Sequence, residues 1–136
     1  MDITVNIWAV LVTGVLHWIL GAFWYSPLLF AKPWAKAKGI DMEAESSDMG
    51  PTVWMYLSGL VAGLLLAGAM AILLSIAGIT TFAAALLAGV CMWLGFNAGP
   101  GLANAMFGGS ITLWIIDSLY PLVTVLIASF ILTVWV

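Results

Sequence analysis

From Met49 to Ile116 the chain carries no Asp, Glu, Lys or Arg. At ~20 residues per spanning helix, a stretch of that length holds more than one crossing of a bilayer. Composition points the same way: 7% of the 136 residues are charged, where a soluble domain of this size carries about a quarter. The sequence therefore predicts an all-α integral membrane protein, folded as one transmembrane domain over residues 1–136.

Four spans are expected, at about 3–26, 51–76, 81–107 and 110–136. The first has Trp8 near one end and Trp24 and Tyr25 near the other, which suits two aromatic belts. It also places Asn6, Thr13, His17 and Trp24 on one face. The second has Pro51 in its first turn and repeats a small residue at every fourth position, Gly59, Gly63, Ala67, Ala71 and Ser75. Such a stripe lets two backbones approach closely in lipid. The third is expected to run as a long helix kinked at Pro100, which would free the carbonyl of Phe96. The runner-up is a re-entrant segment over 99–109. Ser110 is placed to cap the fourth span.

Between the first two spans, residues 27–38 read as a short amphipathic helix in the membrane interface, with Pro27 at its start and Gly39 at its end. Phe30 and Trp34 give it an apolar side, and Lys32, Lys36 and Lys38 can snorkel. Residues 39–50 form a polar loop whose acids lack the full spacing of a Ca²⁺ loop. All three lysines of the chain lie in this connection, so the positive-inside rule puts it in the cytoplasm and both termini outside.

The other function classes thin out quickly. Six acids, three basic residues and no arginine make no surface for nucleic acid. Cys91 has no second cysteine to pair with and reads as a small buried hydrophobe. Asp2 stands where a signal peptide would be basic, so the first apolar run is expected to stay in the protein. There is no phosphate loop, no paired-His metal motif and no convincing nucleophile set, so no enzyme, metal or cofactor is expected.

What remains is a set of polar groups at similar depth. At ~1.5 Å of rise per residue, Asp117 lies roughly 10 Å in, His17 about 13 Å, Asn97 about 15 Å and Tyr56 about 8 Å. Pro121 cannot donate to the carbonyl of Asp117, so one position combines an acidic side chain with an unpaired backbone oxygen. An intramembrane carboxylate needs a partner, a proton or water. The expected cluster is Asp117, His17, Asn97, Tyr120, Tyr56 and Asn104, with a direct His17–Asp117 pair at its centre. Packing alone accounts for the glycine and alanine stripe, and interhelical hydrogen bonding for the asparagines.

The segments GAFWYSPLLFAKPW (Gly21–Trp34), LGFNAGPGLANAMFGG (Leu94–Gly109) and LWIIDSLYPLV (Leu113–Val123) resemble the bacterial domain-of-unknown-function 1761 family. Trp24, Tyr25, Phe30, Trp34, Asn104, Phe107, Asp117 and Tyr120 fall on its motif positions. Gly108-Gly109-Ser110 stands where a charged turn is common, and Pro121 where a His often follows the tyrosine. The resemblance implies a four-helix protein of the bacterial inner membrane with no established activity.

Two functions compete. One is a non-enzymatic interaction, accessory or lipid-binding module that works through the interfacial segment with Trp24, Tyr25, Phe30 and Trp34. Its partners would be membrane lipids, another membrane protein, or further copies of the chain packed through the small-residue stripe. The alternative is a small proton- or cation-linked transporter or channel centred on Asp117 and His17.

Overall fold

The computed structural model describes residues 3–42 and 53–135. Residues 43–50 of the expected polar loop, and Pro51 as a helix start, lie outside the described residues. In chain order the elements are α1 (Ile7–Trp24), α2 (Ala31–Lys38), α3 (Val53–Ile76), α4 (Phe82–Trp93), a π-helical turn (Leu94–Ala98), α5 (Gly99–Met106) and α6 (Ile111–Val134). α1, α3, the continuous run Phe82–Met106 and α6 are each long and apolar enough to cross a membrane. α2 is far too short, at ~1.5 Å per residue.

Local chemistry sets the ends. Asn6 caps α1, its side chain accepting from the amides of Trp8 at 3.0 Å and Ala9 at 3.3 Å. It therefore sits at the helix end and not on the polar face expected of it. Thr81 and Ser110 cap α4 and α6 in the same way. Gly39 ends α2 in the left-handed conformation, φ 71°, as a glycine readily does.

The interfacial helix starts later than the sequence suggests. Residues 27–30 are turns, with Leu29 N donating to Ser26 O and Phe30 N to Trp24 O. Pro33 gives the reason. A helix begun at Pro27 would bury Pro33 in its interior, where the ring clashes and a hydrogen bond is lost. Beginning at Ala31 places Pro33 in the first turn, where the N–H has no intrahelical partner to lose.

The third span also departs in detail. It is one helix to Met106, and Pro100 is accommodated by a π-turn just before it. Gly99 N donates to Leu94 O, five residues back. Widening the ladder by one residue lets the helix pass a proline without breaking.

α6 is the hub of the bundle, packing against α1, α2, α3, α4 and α5. α3 rests mainly on α1, and α4 on α6. The α1–α3 approach is close. A methyl on Gly63 would lie 2.5 Å from Gly14 O and 2.8 Å from His17 Cδ2, and one on Gly14 would lie 2.6 Å from Leu64 Cδ2. Ala67 and Ala71 are buried with Val10, Gly59 faces Trp18, and Ser75 Oγ accepts from Thr4 N at 2.9 Å. The whole small-residue stripe is thus taken up inside the protomer, against α1 and the residues before it.

Along their length the helices divide into two halves. Towards the end away from α2, Met70, Leu74, Ala85, Val125 and Ala128 form a dry core. Towards the α2 end the contacts are largely polar.

Candidate functional site

Asp117 faces α2 and the turn that precedes it. Its Oδ1 accepts from Tyr25 Oη at 2.8 Å and from Trp34 Nε1 at 3.1 Å. The two donors stack edge-on, ring centroids 5.8 Å apart. Lys38 lies one turn beyond Trp34, its Nζ 3.9 Å from the centre of the indole, a cation–π distance. Ala31 and Ala35 are buried, so one face of α2 (31, 34, 35, 38) carries its packing, its latch to Asp117 and its cation. Tyr25 stands one residue past α1. Burial, then the hydrogen bond and charge of Asp117, push its phenol well above the ordinary value, so it remains a donor.

Beneath this latch lies an open pocket of about 340 Å³. Asp117, Lys38, Asn97, Asn104, Ser110 and Ser118 supply its polar lining. Asp117 Oδ2 has no hydrogen-bond partner among the described residues. Gly101 lets Trp114 close the wall, since a methyl there would lie 3.1 Å from Trp114 Cδ1. Trp114 Nε1 is tied in turn to Ala98 O at 2.9 Å.

His17 belongs to a second group, on the α1 side of α6. Its Nδ1 lies 3.1 Å from Thr124 Oγ1 and its Nε2 2.7 Å from Tyr120 Oη. Tyr120 Oη is also 2.9 Å from His17 O, and Thr124 Oγ1 is 3.1 Å from Tyr120 O. Either neutral tautomer finds partners here. A doubly protonated ring uses all four contacts at once, through Nδ1–H to Thr124 to Tyr120 O, and Nε2–H to Tyr120 to His17 O. Gly21 makes room, because a methyl there would meet Tyr120 Oη at 2.8 Å.

The expected His17–Asp117 pair therefore does not form. α1 and α2 reach α6 from different sides, and each polar residue takes the donors and acceptors on its own side. Of the expected cluster, Asp117, Asn97 and Asn104 share the pocket, while His17 and Tyr120 share the second group. Tyr56 joins neither; it is exposed and edge-on to Trp18. Lys32 and Lys36 are exposed on α2.

Tyr25, expected in an aromatic belt, and Trp34, expected on the apolar side of the interfacial helix, are instead the hydrogen-bond partners of Asp117. Trp24, another expected belt residue, has its ring on Phe30 at 4.7 Å and donates to Ile116 O at 3.1 Å. Trp93 Nε1 donates to Ser118 O at 2.7 Å. Two indoles thus bracket the Asp117 carbonyl that Pro121 leaves without its helical donor. Their common membership of the motif segments was the one available hint that these aromatics and Asp117 act together.

Residues 8–133 match the family described as Protein of unknown function (DUF1761). No curated protein and no solved structure matches the chain. With that match over most of its length and four apolar spans, the chain belongs to the DUF1761 family and is a multi-pass, all-helical membrane protein.

Proposed function

We propose that the protein is a non-enzymatic lipid-binding module of the bacterial inner membrane, with the pocket beneath α2 as its ligand site. The observation that carries this is the pocket itself: an open cavity of about 340 Å³ with both polar and apolar walls, beside a helix that carries the three lysines. That volume is at the lower end of small-ligand sites, ~300–1,000 Å³. Lys32, Lys36 and Lys38 would draw headgroups to the mouth, at about 1 kcal/mol each near an anionic surface.

Transport is the second reading, favoured by an intramembrane carboxylate, Asp117, that lines a cavity. It is the weaker of the two because the dry core of Met70, Leu74, Ala85, Val125 and Ala128 occupies the other half of the bundle, where a path would have to continue.

A photoreactive amino acid at position 105, on the pocket wall, separates these readings from none at all. In membranes with radiolabelled phospholipid it should capture lipid, and Lys38→Gln should lower that capture while leaving unchanged the capture by the same group at position 87, exposed on the third span. Capture at position 105 that is indifferent to Lys38→Gln would remove the lipid reading. Cation or proton flux in proteoliposomes that vanishes with Asp117→Asn would put transport in its place.

A further inference from the structure

Resting on that lipid-binding reading, we infer that the pocket selects a zwitterionic ligand: a primary ammonium held by Asp117 and joined through a short linker to a phosphate held by Lys38. The phosphoethanolamine headgroup has this chemistry, whether on a lipid or free.

The lining carries one charge of each sign, Asp117 and Lys38. A purely anionic ligand would answer Lys38 and face Asp117; a purely cationic one would do the reverse. Leaving a charge unanswered in a partly desolvated site is costly. A zwitterion answers both.

The type of ammonium follows from the acceptors. Asp117 accepts Tyr25 and Trp34 on one oxygen, Oδ1, and its carboxylate has a second. Asn97, Asn104 and Ser110, each with an oxygen acceptor, line the same pocket. A primary ammonium brings three N–H donors for such acceptors. A trimethylammonium brings none and prefers aromatic faces. Trp114 is the one aromatic residue of the lining, and its Cδ1–Nε1 edge is turned to Gly101. Lys38 is exposed on α2, so its ammonium is free to turn toward a phosphate at the mouth as a point charge.

The matched probes are phosphatidylethanolamine and phosphatidylcholine, which differ only in methylation of the nitrogen, with phosphatidylglycerol as the anionic control. The intact protein in mild detergent is offered equal amounts of the three, and bound lipid is counted by native mass spectrometry. Phosphatidylethanolamine should be retained about tenfold over the other two, the scale of one charge-assisted hydrogen bond. Asp117→Asn should abolish that preference while keeping an oxygen for Tyr25 and Trp34. Lys38→Gln should weaken it. If free phosphoethanolamine displaces the lipid at concentrations where phosphocholine does not, the same chemistry holds and the natural source includes the soluble compound. Equal retention of phosphatidylcholine, or a preference for phosphatidylglycerol, overturns the zwitterion inference and leaves lipid binding standing. Retention of no lipid by the folded protein overturns both.

Discussion

Tyr120 has one hydroxyl hydrogen and stands within hydrogen-bond reach of both His17 Nε2 and His17 O. It therefore ties α1 to α6 whichever nitrogen of His17 carries the proton. Tyr120→Phe keeps the ring against His17 and Trp24 and removes only that link. Intramembrane side-chain hydrogen bonds average ~0.6 kcal/mol, with a maximum near 1.7. A loss of about 1 kcal/mol is expected in an unfolding titration in mixed micelles. The effect should not add to that of Thr124→Val, because both act through one imidazole. A loss below a few tenths, or full additivity, would mean that the contact does not hold the helices. That His17 and Asp117 each meet polar groups from other parts of the bundle was legible from the sequence. Their direction was not. Which donor each meets depends on where α1 and α2 approach α6, and no count of residues contains that. Tyr25 reads as a belt aromatic and Trp34 as apolar surface of the interfacial helix, and the turn over residues 25–30 folds both onto Asp117.

Among the elements, α1 and α3 show how far a pattern can be trusted. The stripe from Gly59 to Ser75 announced a close helix contact, and one is present within the chain, with α1. A repeat of small residues records how near a backbone comes, without recording whose. Gly63 is where the approach is tightest, because the atom a methyl would meet first is a backbone oxygen, Gly14 O at 2.5 Å. Backbone cannot step aside as a side chain can, so Gly63→Ala should cost ~1–3 kcal/mol by forcing the helices apart. Gly68 lies on the same helix, and the nearest atom to its added methyl is Val10 Cγ1 at 4.0 Å. Gly68→Ala should be neutral or stabilising by up to ~1 kcal/mol, the helical gain of alanine over glycine. Thermal unfolding of the pair in one detergent checks both, and equal effects would refute the contact. The misjudged start of α2 has a similar origin: Pro27 and Pro33 each signal a helix start, and only their joint effect selects the second.

For the molecule as a whole, the separation into a polar half beside α2 and a dry half beyond it links fold, function and orientation. The three lysines lie at the α2 end, and no charged residue lies between Met49 and Ile116, so the turn between α3 and α4 carries none. The positive-inside rule then puts α2 and the pocket mouth in the cytoplasmic leaflet and the α3–α4 turn outside. Single cysteines read this directly. In a Cys91→Ser background, Thr80→Cys marks the α3–α4 turn and Met42→Cys the region just after α2, both at exposed positions. A membrane-impermeant maleimide on intact cells should label Thr80→Cys at once, and Met42→Cys only after permeabilisation. The reverse pattern would show that so few lysines do not set the orientation and would turn the pocket to the outer leaflet. Because the two leaflets differ in headgroups and the pocket opens at only one end of the bundle, that result would also change which lipids can reach Asp117 and Lys38.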